Sequence, residues 1–384
     1  MSALNLDYVE GLYFIPEDMT WFRSEDKLTQ FHEACHQFLH TSNYGSQCQI
    51  IEIGTFFAFL DMLRMVEHGT VSGDKFAKLG FAVINGYQLM AKMCENSMTV
   101  QESFANIYPY HFWHNELVEK GLIKDKERID FVLDGVRKDV LTGSKVPSWY
   151  REIVKNALEL YEKRSYEDFG LSIIHALSTP LFLEPKFLQD PDQLDFRGRT
   201  DINPDLRFQI LKEELILRGN DSFKTVAKRL GIVASNPSHI DLICCFDIFN
   251  DVLEQEEVNI IKDFHEESLG ERKLEPGFLL KHLPVKVHLD PRGAVDIDCC
   301  PVWLEKKKVT KSDVVSTKDK SCLRRIFVES FILGKPVPRC WAQPLADSLE
   351  MKIECQSPKL YCKRLLELVT KTIEEFAKIT GSRI

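Results

Sequence analysis

A chain of 384 residues with 44% hydrophobic, 10% aromatic and 28% charged side chains is too long for one core of modest size and too apolar for global disorder, because single domains usually run to about 100–200 residues. Lys and Arg number 49 against 58 Asp and Glu, a net charge of −9. That balance excludes a surface coated in basic charge for DNA and leaves room only for a local basic patch.

The first ten residues, Met1 to Glu10, are acidic where a secretory signal would be basic and then apolar, so no cleavable signal is expected. From Ser24 to Leu181 apolar residues recur at intervals of three and four, the helical period. Leu28, Phe31, Cys35 and Phe38 form one stripe, and Phe56 to Val66 and Lys75 to Met93 form two more. The run from Ile50 to Val66 is broken by Glu52, Asp61 and Arg64, so it falls short of the roughly 20 uncharged residues of a bilayer span. Pro147 and Ser148 open a further helix, with Ile153, Leu158 and Leu160 expected to face inward.

The first of these stripes carries the sharpest motif, His32-Glu33-Ala34-Cys35-His36. On a helix it sets two imidazoles one turn apart, where both can ligate one zinc while Glu33 polarises the bound water. Over these five residues the chain resembles the zincin metalloprotease signature. The resemblance implies zinc held by His32 and His36 with Glu33 as the catalytic base. It supplies no third ligand, for which Glu52 and Asp61 are nearby carboxylates. His40 continues the row of histidines at four-residue intervals, a pattern that a solvated helix face also produces. A second group, His111 and His114 beside Tyr110, Phe112 and Trp113, reads as an aromatic helix start with polar edges, or as a partner for the first pair if the array folds back.

Residues 183–204 change to turn-forming composition and mark a boundary. Beyond it, Ser222 to Ile240 resembles a bacterial-repressor helix-turn-helix, with Ala227 as the small residue and Gly231 in the turn; a short helical pair used for packing explains it better. Further on, Val285 to Leu289 and Ala294 to Cys299 alternate around Asp290-Pro-Arg-Gly293, the pattern of a hairpin. Alternation sets Asp296 and Asp298 on one face, as a divalent cation would require. With Glu305 and Lys307 they resemble the PD-(D/E)xK nuclease arrangement, which implies magnesium or manganese on the acids and Lys307 beside the attacking water. A solvated outer face alternates in the same way. Lys306, Lys308, Lys311, Arg324 and Arg325 belong to the one basic stretch, suited to an anionic ligand such as RNA, a phosphoinositide headgroup or an acidic protein. Leu349 to Cys355 alternates as a third strand, and Ser357 to Ile379 closes the chain as a helix with Leu360, Leu365, Leu368 and Ile373 at core spacing.

The 11 cysteines include no C-x-x-C pair and imply no disulfide framework. Phosphate-binding, dinucleotide-binding and nucleophile-elbow motifs are absent from the sequence. The expected fold is mainly α: a helical array followed by a small C-terminal α+β module with an antiparallel hairpin. The expected divisions are 1–182, 183–270 and 271–384. The expected function is that of a cytoplasmic binding or regulatory protein acting through a protein partner, with nuclear entry through the basic stretch as an alternative location. Its rivals are a metal-dependent hydrolase, using zinc at His32 and His36 or magnesium or manganese at Asp296 and Asp298, and an anion binder using the basic loop 306–325.

Overall fold

In the long helical stripes the apolar positions recur too regularly to face solvent on every side, and burying them requires helix-on-helix packing. The computed structural model describes residues 11–14, 19–22, 27–39, 42–143, 146–181, 183, 186–235, 249–259, 261–262, 294–296, 352–354 and 359–381. These residues are mainly α. The principal helices are α1 (Lys27–Leu39), α2 (Asn43–Glu67), α3 (Gly73–Glu95), α4 (Met98–Glu119), α5 (Arg128–Val136), α6 (Ser148–Lys163), α7 (Tyr166–Ser178), α8 (Lys186–Gln189), α9 (Pro204–Leu217), α10 (Phe223–Leu230) and α11 (Lys359–Thr380). Their buried apolar side chains form one contiguous cluster that runs from Cys35 to Phe376. No helix is long and apolar enough to cross a membrane among the described residues.

Helices α2 and α3 lie against each other, joined by a short turn in which Gly69 takes the left-handed conformation at φ 64°. Two glycines let aromatic rings approach this pair closely. A Cβ on Gly54 would lie 2.4 Å from the Phe249 ring, and one on Gly80 would lie 2.0 Å from the Phe376 ring of α11. Only glycine fits at such approaches. Helix α11 is thereby seated on α2 and α3, with Leu368, Val369 and Phe376 buried as its inner stripe.

Several helix ends are tied by side chains from elsewhere. Ser42, Ser165, Asn203 and Ser222 cap their own helices, since each accepts from a backbone N–H of the first turn that lacks an intrahelical partner. Ser97 stands at the start of α4 but makes no side-chain cap. Asp205 of α9 caps α4 instead, accepting from Thr99 N at 3.0 Å and Val100 N at 2.9 Å. Burial raises the Asp205 pKa, and those two N–H groups oppose the rise. Nearby, the turn-rich segment is organised by Arg207, which is 1% exposed. Its guanidinium donates to the carbonyls of Ala176 (3.1 Å), Thr179 (2.7 Å), Pro180 (2.7 Å), Asp201 (2.8 Å) and Thr200. Burial lowers its pKa to about 10, with Asp201 opposing.

The expected antiparallel hairpin is corrected. Ala294–Asp296 (β3) pairs in parallel with Lys352–Glu354 (β4), with Ala294 opposite Lys352 and Asp296 opposite Glu354. Its supposed partner, residues 285–289, lies outside the described residues. Period-two alternation marks extended backbone but carries no information on which strand it joins or in which direction, and that is where the expectation failed. At the other end of the chain, Gly11–Phe14 (β1) and Met19–Phe22 (β2) form an antiparallel pair against α1. In the helix-turn-helix-like segment, α10 ends at Gly231 with φ 69°, and Val226 and Ala227 are buried in packing. The segment 236–240 lies outside the described residues.

Candidate metal centre

Helices α1 and α4 pack antiparallel, as the ring pairs Phe38 with Phe104 (6.3 Å) and Phe31 with Phe112 (5.9 Å) show. That pairing places the histidine side of α1 over the first turns of α4. His36 Nε2 lies 3.2 Å from His32 Nε2. The Glu102 carboxylate faces both, with Oε2 at 3.7 Å from His32 Nε2 and Oε1 at 3.7 Å from His36 Nε2. The three ligand atoms all lie within 4.8 Å of one another. Side-chain exposures of 22% for His32 and Glu102 and 14% for His36 put the group at the rim of the core, within reach of an ion from solvent.

A second layer holds these ligands in place. The Tyr150 hydroxyl of α6 donates to Glu102 Oε2 at 2.5 Å. Asn106 donates to the Tyr150 oxygen at 2.6 Å and to the Glu102 carbonyl at 2.7 Å, closing a small ring around the carboxylate. Pro109 sits inside α4 and has no N–H, so the carbonyl of Ala105, four residues earlier, loses its helical donor. The His32 ring hydrogen-bonds to this Ala105 carbonyl. Ligand histidines are commonly oriented by such an outer contact to a backbone carbonyl. The cap that Asp205 provides to α4 fixes the turn immediately before Glu102.

The spacing suits a small divalent ion. Two ligands held about 2.0–2.1 Å from a tetrahedral zinc lie about 3.3–3.4 Å apart, close to the 3.2 Å between the two imidazole nitrogens and the 3.7 Å from each of them to its nearer carboxylate oxygen. Each imidazole nitrogen stands 3.7 Å from its nearer Glu102 oxygen, beyond hydrogen-bond distance. Burial, followed by the adjacent His36, lowers the His32 pKa to about 4; Glu102 and the Ala105 carbonyl oppose the shift. An imidazole that stays neutral at physiological pH keeps its lone pair for a metal. Two histidines and one carboxylate are also the protein ligands of one class of catalytic zinc site, in which the fourth position is left to water.

The other residues singled out in the sequence fall elsewhere. Glu33 follows His32 on α1, and its side chain lies outside the described residues. The same holds for the side chain of Asp296, whose backbone is in β3, and for Asp298, Glu305, Lys306, Lys307, Lys308, Lys311, Arg324 and Arg325 entirely. Asp61 pairs with Arg64 at 2.9 Å, and Glu52 is buried on α2; neither joins the triangle. His111 and His114 are buried inside α4 rather than forming polar edges at a helix start. His111 stacks between Tyr108 and Tyr166, and His114 meets the edge of Phe131. Nine helical residues separate Glu102 from His111, which is about 180° around the helix and about 13.5 Å along it, so this pair cannot join the first. Glu102 itself was missed in the sequence, 66 positions beyond His36. The nearest sequence signal is Pro109, an unusual residue inside an amphipathic stretch. No family model, curated protein or solved structure matches the chain.

Proposed function

We propose that the chain is a metal-dependent hydrolase whose divalent ion, zinc first among candidates, is held by His32, His36 and Glu102. The observation that carries this reading is the convergence of the three ligand atoms from two helices onto one centre. Three protein ligands leave a coordination position for water. Bound there, zinc would lower the pKa of that water toward neutrality and polarise a carbonyl or phosphoryl oxygen. Glu33, next to His32 on α1, is the base that the motif assigns. Tyr150 and Asn106 hold the carboxylate in its ligating orientation, and the Ala105 carbonyl, freed by Pro109, does the same for His32.

The test is metal content after dialysis against zinc, measured on wild type and on Glu102→Ala, followed by hydrolysis of a panel of ester, amide and phosphoester substrates. The expected result is one zinc per chain, lost in the variant, and chelator-reversible hydrolysis in the wild type alone. One zinc without hydrolysis retains the ion and overturns the enzyme. Equal metal content in wild type and variant overturns both and returns the chain to a protein acting through partners.

A further inference from the structure

A separate cluster, at the end of the α2 and α3 pair away from their connecting turn, contains Cys48 and Cys94, neither of which is in a disulfide. Helices α2 and α3 run antiparallel from their connecting turn, so Tyr44, near the start of α2, meets Ser97, just beyond the end of α3. The Ser97 hydroxyl donates to the Tyr44 oxygen at 2.7 Å, with a longer 3.2 Å contact to the Cys94 carbonyl. One turn inward from that contact, four residues on along α2 and three back along α3, are Cys48 and Cys94. The Cys48 thiol and the Tyr44 hydroxyl both hydrogen-bond to the Cys94 sulfur.

The direction of these hydrogen bonds matters. The Tyr44 oxygen accepts from Ser97, which leaves the phenolic proton for the neighbouring sulfurs of Cys48 and Cys94. Ser97 is free for this task because Asp205 caps α4 in its place, and its own oxygen accepts from Gln101 at 2.7 Å. A sulfur that receives two hydrogen bonds is stabilised as the thiolate, and the Cys94 pKa is lowered, with burial and Glu95 opposing. Access is unequal across the pair: Cys94 is half-buried, whereas Cys48 and Cys35 are fully buried. A low-pKa, reachable cysteine next to a second thiol is the arrangement of peroxide-oxidised cysteines.

We propose that Cys94 and Cys48 form an oxidisable dithiol, with Cys94 attacking a hydroperoxide and Cys48 resolving the product. The Cys94 thiolate attacks one oxygen of hydrogen peroxide, the O–O bond breaks, and the departing hydroxide takes a proton to leave as water; Cys94 becomes a sulfenic acid. The Cys48 sulfur then attacks the Cys94 sulfur, the S–O bond breaks, and the hydroxyl leaves with the Cys48 proton as a second water. Two thiols are oxidised to one disulfide, and one peroxide is reduced to two waters. The disulfide ties the outer ends of α2 and α3 together. The proposal is independent of the metal centre, whose ligands it does not use.

The test treats the folded full-length chain with hydrogen peroxide, alkylates the remaining thiols and maps unreduced peptides by mass spectrometry. The expected product is a peptide containing Cys48 joined to one containing Cys94, lighter by two hydrogens than the separate pair, formed before Cys35 is modified. In Cys48→Ala, dimedone should label Cys94. In Tyr44→Phe, the same labelling should slow by about three- to tenfold, as expected when up to about one pKa unit of thiolate stabilisation is removed. The wild-type map decides the matter even if a variant folds poorly. A chain in which Cys94 stays reduced at peroxide doses that oxidise Cys35, or in which Cys94 pairs with another cysteine, would overturn the proposal. Unchanged labelling in Tyr44→Phe would overturn the role of the hydrogen-bond relay.

Discussion

Two pairs of histidines bear on the same helix, α4, and they meet opposite fates. His32 and His36 come from α1 and converge on Glu102, with carbonyl, hydroxyl and amide groups oriented around them. His111 and His114 belong to α4 itself and face rings: Tyr108 and Tyr166 for the first, Phe131 for the second. Burial is the first cause of a lowered pKa at His32, His111 and His114 alike, so it marks members of both pairs. The lesson is that burial and neutrality alone do not make a ligand. What distinguishes the first pair is a carboxylate brought from another helix to the same point, and outer contacts that hold each group toward that point.

The largest effect expected on this contrast comes from removing the carboxylate. Glu102→Ala should weaken zinc binding at least about a hundredfold, whereas replacing both His111 and His114 with Phe should leave the zinc stoichiometry unchanged; equilibrium dialysis against a zinc indicator measures both. Zinc retained by Glu102→Ala, or lost on replacing the second pair, would reverse the contrast.

A smaller effect should follow from disturbing the supports. Tyr150→Phe removes the donor to Glu102, and Pro109→Ala restores the helical bond that competes with His32 for the Ala105 carbonyl. Each should cost about tenfold in zinc affinity while leaving the circular dichroism spectrum unaltered. Affinities equal to wild type in both variants would mean that the ligands are held by packing alone.

The smallest effect is a dependence of stability on pH. The His111 pKa is lowered to about 3 by burial first, with Arg128 and His114 adding to it. The unfolded chain, with an ordinary imidazole near 6.5, therefore takes up a proton before the folded one does as pH falls. Stability from this group is complete above pH 6.5 and declines as pH drops from 6.5 toward 3. His32 acts in the same direction down to about 4 in the absence of metal. Glu257, whose pKa is raised to about 7 by burial and by Asp61, acts in the opposite sense, because its stabilising proton is lost as pH rises from 4.5 through 7. The informative quantity is thus the difference between wild type and His111→Phe in urea melts at pH 7 and pH 5. The gap should shift by about 1–2 kcal/mol in favour of the variant at the lower pH; a constant gap would contradict a neutral, buried His111.

Much of the helical architecture was legible in the sequence. The stripe of Leu28, Phe31, Cys35 and Phe38, the helix opened by Pro147 and Ser148, and the C-terminal helix with Leu368 on its inner side are local patterns written in a period of three to four residues. The H-E-x-x-H spacing was legible for the same reason, since two ligands on one helix are a local matter. The third ligand was not. Glu102 reaches the site only because α1 and α4 pack antiparallel, and no spacing rule encodes a contact 66 residues away. The C-terminal pairing failed on the same ground: alternation identified Ala294–Asp296 as extended, but its partner, Lys352–Glu354, is chosen by tertiary structure. Cys48 and Cys94 belong to no cysteine motif in the sequence, and only the α2 and α3 register brings them together.

The measurement that tests the central claim most directly is X-ray absorption at the zinc edge of the zinc-loaded chain. Eleven cysteines offer zinc an alternative home, and thiolate ligands at about 2.3 Å are readily told from imidazole and carboxylate ligands at about 2.0–2.2 Å. A shell of nitrogen and oxygen only, with two imidazole signatures that fall to one in His36→Ala, is the predicted result. A sulfur-containing shell, or one unchanged in His36→Ala, would contradict a centre built from His32, His36 and Glu102.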